Sequence, residues 1–109
     1  MFYYEVYLPL NLMKNFYYGS PLEIPEGVRV LVSFNRKDMI GICGTRFESV
    51  PEKDIRYKQI IEVLDQQPLM DSQLMSLAKW IGEYYYCSIG TACFAMLPAW
   101  LIPDIQAEV

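Results

Sequence analysis

Along the first 64 residues apolar and polar positions alternate, and beyond them a spacing of three and four takes over. Phe2, Tyr4, Val6 and Leu8 fall on one side of residues 2–8, with Tyr3, Glu5 and Tyr7 on the other. This predicts a strand with one face in the core, ended by Pro9. Residues 10–14 connect it to a second short strand, Asn15 to Tyr18. Gly19-Ser20-Pro21 and Pro25-Glu26-Gly27 are turn punctuation. Alternation resumes over 28–34, with Val28, Val30, Val32 and Phe34 inward. Asn35-Arg36-Lys37-Asp38 is the tip of a hairpin whose return arm is 39–47. Gly41 and Gly44 mark bends or bulges there, as in a tightly curled sheet. Residues 48–55 read as a charged loop with Pro51. A fifth strand over 57–64 puts Ile61 and Val63 inward and Lys58 on the exposed side, and Gln66, Gln67 and Pro68 close it.

Asp71 then offers an N-cap. Leu74, Leu77, Ala78 and Ile81 form the inward stripe of a helix to about Tyr86, with Tyr84 and Tyr85 one turn further on. Cys87-Ser88-Ile89-Gly90 is a tight link, and Thr91 to Leu97 a second helix stopped by Pro98. Strands first and helices after predict an α+β domain: a small, strongly curved, partly closed OB-like sheet of about five strands, followed by two helices. The domain is expected over residues 1–100, with 101–109 the start of a linker.

No apolar run approaches the ~20 residues of a membrane span, and no secretion signal opens the chain, so a cytoplasmic location is expected. Three cysteines without CxxC spacing (Cys43, Cys87, Cys93), and no histidine, argue against disulfides and a zinc site. Net charge is −4, yet residues 14–58 hold eight basic residues against six acids, while 59–109 hold only Lys79 against six. A local basic face on the first half is therefore open, beside scattered solvated charge.

No phosphate-binding loop, dinucleotide fingerprint or nucleophile elbow is present. Glu52, Asp54 and Asp71 have loop and capping positions, so no catalytic residue is assigned. The domain binds rather than catalyses. Trp80 and Tyr84-Tyr85-Tyr86 are read as core or as an interface to another domain. Alternation forces at least one of Phe16, Tyr17 and Tyr18 off the core face. With Arg36, Lys37 and Lys58 they are either ordinary sheet packing or a single-strand site, where a ring stacks on a base and cations meet phosphate.

Glu5-Val-Tyr-Leu-Pro-Leu, Phe16-Tyr-Tyr, Gly27-Val-Arg-Val-Leu-Val-Ser-Phe34, Lys58-Gln-Ile-Ile-Glu-Val-Leu-Asp65, Leu77-Ala-Lys-Trp-Ile-Gly-Glu-Tyr-Tyr85 and Leu97-Pro98 occur in that order. Together they resemble the N-terminal domain family of PriA, the primosomal replication-restart helicases of bacteria. The resemblance covers nearly all of residues 4–100. It implies a module that holds the 3′ end of the nascent leading strand at a stalled fork, whatever the terminal base, and recognises the free 3′-hydroxyl. The family pattern there is aromatic-Asp-Tyr, a Pro-Phe-Gly turn, and a lysine before the Val/Ile-Glu-Val-Leu strand. Phe16 and Lys58 match; Tyr17 replaces the aspartate, Ser33 the proline and Asn35 the glycine. Asparagine is the next residue most willing to adopt positive φ, so the turn survives.

The DNA 3′-end site implied is Phe16, Tyr17, Tyr18, Asn35, Arg36 and Lys58. The resemblance also implies a monomeric piece of an ATP-dependent 3′–5′ DNA helicase, with ATP, magnesium and zinc confined to other domains and no cofactor or metal in this one. Partners would be DNA, the remaining helicase domains and primosome proteins. The competing function is a protein–protein docking domain acting through the acidic, aromatic helical half.

Overall fold

The structure is a computed structural model that describes residues 1–12, 14–50 and 56–97. The strands are β1 (Phe2–Tyr7), β2 (Tyr17–Ser20), β3 (Arg29–Phe34), β4 (Lys37–Phe47) and β5 (Glu62–Val63), followed by α1 (Ser72–Tyr85) and α2 (Ile89–Met96). They form one antiparallel sheet in the order β2-β1-β4-β3-β5. Its two ends approach each other through the segment before β5. The Gly19 N–H donates to the Lys58 carbonyl at 2.9 Å, and the Ile60 N–H to the Gly19 carbonyl at 2.9 Å. One residue later the bonds change strand, and Ile61 N–H donates to the Leu31 carbonyl at 2.8 Å. The sheet is thus a curled half-barrel with a short closing seam, the α+β OB-like arrangement expected.

The seam explains two departures from the expected pattern. Gly19 and Ser20 are not turn residues but part of β2: Gly19 stands opposite Tyr3 in the ladder and spends its own N–H and carbonyl on the seam. The fifth strand is two residues long, and the inward residue of the expected 57–64 segment is Ile60, ahead of that strand, rather than Ile61 or Val63, which are exposed. A segment that changes partner between residues 60 and 61 cannot keep one side-chain alternation along its length.

The hairpin β3–β4 closes on Phe34 opposite Lys37, so its tip is Asn35-Arg36 alone. Both have positive φ, 50° and 67°, the signature of a type I′ turn. In β4 the bulge falls at Gly44: Tyr4 to Val6 on β1 faces Cys43 to Arg46 on β4, one residue more. A Cβ on Gly44 would lie 2.6 Å from the Tyr7 ring. Gly41, by contrast, sits in an unbroken ladder opposite Val30.

The inner face of the sheet packs Tyr4, Val6, Leu8, Tyr18, Val28, Val30, Val32 and Cys43 into one core. The alternation of β1 and β3 placed all but Cys43 and Tyr18 there. A second core lies on the outer face, where Tyr7 and Ile42 meet Met70, Met75, Ala78, Ala92 and Cys93 beneath the helices. Burial pushes the Cys43 and Cys93 thiols up to about 12, so they stay neutral. The turn at Gly27 ties the two halves together. Its carbonyl accepts from Leu69 and Met70 N–H at 3.1 Å, and its φ of 97° brings it so near Met70 that a Cβ would clash at 1.9 Å.

Asp71 caps α1, its carboxylate accepting from Leu74 N–H at 2.8 Å. The helix buries Met75, Ala78 and Gly82, so it turns Leu77, expected inward, to solvent. Ser88 caps α2, which therefore starts at Ile89 rather than Thr91; its hydroxyl also donates to the Leu10 carbonyl at 2.6 Å. No helix among the described residues is long and apolar enough to cross a membrane. Most of the loop expected at 48–55 and the linker expected at 101–109 lie outside the described residues.

Candidate nucleic-acid interface

A cleft of about 400 Å³ opens beside the hairpin tip, between the start of β2 and the seam. It brings together Phe16, Tyr17, Tyr18, Asn35 and Lys58, five of the six residues the sequence put forward. Arg36 is not among its lining residues; it is exposed at the tip, next to Asn35.

Each side chain is placed by the fold. The Phe16 carbonyl accepts from Val6 N–H at 2.8 Å, which fixes the residue at the mouth of β2. Its half-buried ring meets Phe34 edge-on, with centroids 5.0 Å apart, and packs against the inner core. The Lys58 main chain is held in the seam while its side chain is exposed. Tyr18 belongs to the inner core, and its hydroxyl donates to the Ser33 carbonyl at 2.9 Å. It therefore fastens β2 to the hairpin arm instead of presenting a free ring, and burial raises its pKa.

Tyr17, in the aspartate position, is neither buried nor free. Its ring stands edge-on to Phe47 at 5.7 Å and to Tyr57 at 6.5 Å, and Tyr57 in turn meets Tyr3 at 5.3 Å. The Asn15 amide donates to the Tyr17 hydroxyl at 3.2 Å, which leaves the phenolic O–H available as a donor. A carboxylate here would only accept; the tyrosine offers a donor and a fixed ring edge.

Lys14, Arg56 and Tyr57 also line the cleft, and sequence pattern did not place them there. The signal was the excess of basic residues in 14–58. With Lys58, the cleft carries three cations, and none of its described lining residues is acidic. The basic face thus exists as one concave site, in a protein whose net charge is −4. Aromatic rings backed by a rigid core, with cations around them, can stack a base and hold its phosphate. No nucleophile–base pair is found among its described lining residues.

The other aromatics lie elsewhere. Trp80, Tyr84, Tyr85 and Tyr86 are 55%, 62%, 67% and 86% exposed, so the core alternative is excluded. Trp80 stacks on Tyr84 at 5.1 Å, and Tyr84 meets Tyr85 at 4.8 Å.

The sequence pattern of the 3′DNA-binding domain (3′BD) of PriA matches residues 5–98. Replication restart protein PriA of Buchnera aphidicola (subsp. Acyrthosiphon pisum, strain APS) is 31% identical over 102 residues, covering 92% of this chain and 14% of that protein. That of Treponema pallidum (strain Nichols) is 29% identical over 103 residues, covering 87% and 16%. That of Bacillus subtilis (strain 168) is 29% identical over 86 residues, covering 79% and 11%. The chain therefore spans only 11 to 16% of the length of these relatives. With the match covering residues 5–98 in order, the chain belongs to the PriA 3′DNA-binding domain family.

Proposed function

We propose that the cleft captures the 3′-terminal nucleotide of a DNA strand, whatever its base, for a protein of replication restart. The observation that carries this reading is the convergence of Phe16, Asn35 and Lys58 with Lys14 and Arg56 on one cleft whose described lining residues include no acid. Phe16 supplies the surface on which any base stacks, since every base has a face. Lys58, Lys14 and Arg56 meet the phosphates. The terminal hydroxyl is taken by main-chain groups near Phe16 and the Asn35 turn, where positive φ keeps the backbone open to approach. Stacking and main-chain contacts are available to all four bases, which makes the recognition base-independent.

The domain acts as a monomeric binding unit rather than a catalytic one. In a full-length protein, ATP hydrolysis, magnesium and zinc belong to other parts. Mapping amide shifts on adding a short single strand tests the assignment. Changes at Phe16, Tyr17, Asn35 and Lys58 are expected; changes confined to residues 74–97 contradict it.

A second reading, docking through the helical half, is favoured by the exposed row Leu77, Trp80, Tyr84 and Tyr85. Relatives are several times longer than this chain, so the occupant is another surface of the same restart protein. The two readings concern different residues and are compatible.

A further inference from the structure

We propose that a second cavity takes the nucleobase next to the terminal one and reads its amino edge through Glu5; this rests on the reading of the first cleft. The second cavity, of about 330 Å³, lies between β1, the loop that follows it, and the two helices. Lys14, Asn15 and Phe16 line both cavities, so one three-residue ridge separates them. A strand that crosses this ridge leaves one base on each side of it. Phe16 then borders both bases, and Lys14 lies where the phosphate between them passes.

The walls suit a base. Leu8, Leu10, Leu12 and Ile89 supply apolar surface for its faces. The charged residues lining the cavity balance, Glu5 and Glu83 against Lys14 and Lys79. A cavity of this kind accepts a neutral planar group and leaves the phosphate outside, at the ridge.

Glu5 makes it selective. It is half-buried on β1 and pairs in register with Tyr17, the residue at the rim of the first cleft. Its described side-chain hydrogen bond is a long one, accepted from the Tyr7 hydroxyl at 3.5 Å. Lys79 acts on it across the cavity, yet none of the ion pairs among the described residues joins the two. The carboxylate thus keeps acceptor capacity toward the cavity. Cytosine and adenine present an exocyclic amino group that a carboxylate accepts from, and guanine presents one on its other edge. Thymine has no amino group, and its one donor, the N3–H, sits between two carbonyl oxygens that a carboxylate repels, so it matches this half-buried acceptor poorly.

The end itself would be read without regard to base, and the neighbouring position with a preference for amino-bearing bases. Single strands sharing one 3′-terminal nucleotide and varying only the penultimate base test this by fluorescence anisotropy. Cytosine or adenine there should bind about tenfold or more tighter than thymine, the low end for one hydrogen bond to a charged acceptor. Glu5→Leu should level the four while leaving the affinity for a 3′-terminal mononucleotide unchanged. Where that variant does not fold, the native protein decides. A dinucleotide should shift the amides of Leu12, Cys87 and Ile89, and a mononucleotide should not. Equal affinity for all four penultimate bases, or silence at those amides while Asn35 and Lys58 respond, overturns the second subsite and leaves the first cleft intact. Silence at both cavities overturns both.

Discussion

Two groups of aromatic residues sit on opposite halves of this protein, and their surroundings separate them. At the cleft, Phe16 and Tyr17 are half-buried, held edge-on by Phe34, Phe47 and Tyr57, and accompanied by Lys14, Arg56 and Lys58. On α1, Trp80, Tyr84 and Tyr85 are mostly exposed, touch chiefly one another, and lie beside Glu83. The first group is pre-ordered, so a ligand stacking on it loses little further side-chain freedom. Its cations attract an anionic strand. The second group has the size and composition of protein-binding hot spots, where Trp and Tyr are enriched. Its flanking charges, Lys79 and Glu83, cancel and offer a phosphate no net attraction. Ring content alone would treat the two alike; burial and local charge tell them apart.

Four substitutions sharpen or break that contrast. Phe16→Ala should have the largest effect, weakening binding to all four terminal bases by roughly 1–3 kcal/mol in anisotropy titrations. Because the ring also packs on Phe34 and the inner core, stability falls too, and urea unfolding under the titration conditions measures that share. A loss for one terminal base only would mean that Phe16 is not a general stacking surface.

Lys58→Ala removes one cation and should flatten the log–log salt dependence by about 0.7, the value for one phosphate on a single strand. The side chain is exposed, so stability should change by less than about 0.5 kcal/mol. A native slope equivalent to eight or more phosphates would not fit a cleft with three cations.

Arg36→Gly should stabilise the hairpin by about 0.5 kcal/mol. Relief of a side chain at φ 67° outweighs the extra chain entropy of glycine. Arg36 lies outside the cleft, so binding of a mononucleotide should not change. Trp80→Ala is the smallest: affinity for DNA should be unaltered, and stability should shift by no more than about 0.5 kcal/mol, because over half of the residue is solvent-exposed. A loss of DNA affinity comparable to that of Phe16→Ala would erase the contrast between the two faces.

The inner core was legible because β1 and β3 keep a strict two-residue period from Phe2 to Leu8 and from Val28 to Phe34. The outer core was not. Tyr7 occupies the face that alternation assigns to solvent, Ile42 lies in a return arm whose faces the pattern left unassigned, and the helices bury both. The seam defeated pattern reading altogether, since residues 58–64 pair first with β2 and then with β3. That change of partner exposes Val63 and sets Arg56 and Tyr57 against the cleft, which no period along the chain encodes. Phe16, Asn35 and Lys58 came from the spacing of the family pattern. Tyr18 matched that pattern too, yet it serves as a core residue whose hydroxyl ties β2 to Ser33.

The central claim is that the cleft holds a strand end rather than a stretch of strand. Matched oligonucleotides differing only at the 3′ terminus, hydroxyl against phosphate, test it directly by fluorescence anisotropy. A terminal phosphate adds bulk and charge where main-chain groups near Phe16 and Asn35 would hold a hydroxyl. The blocked strand should bind at least tenfold more weakly, a difference of about 1.4 kcal/mol, while a 5′-phosphate should matter little. Equal affinity for blocked and free 3′ ends would contradict the claim and leave a groove that binds single strands anywhere along their length.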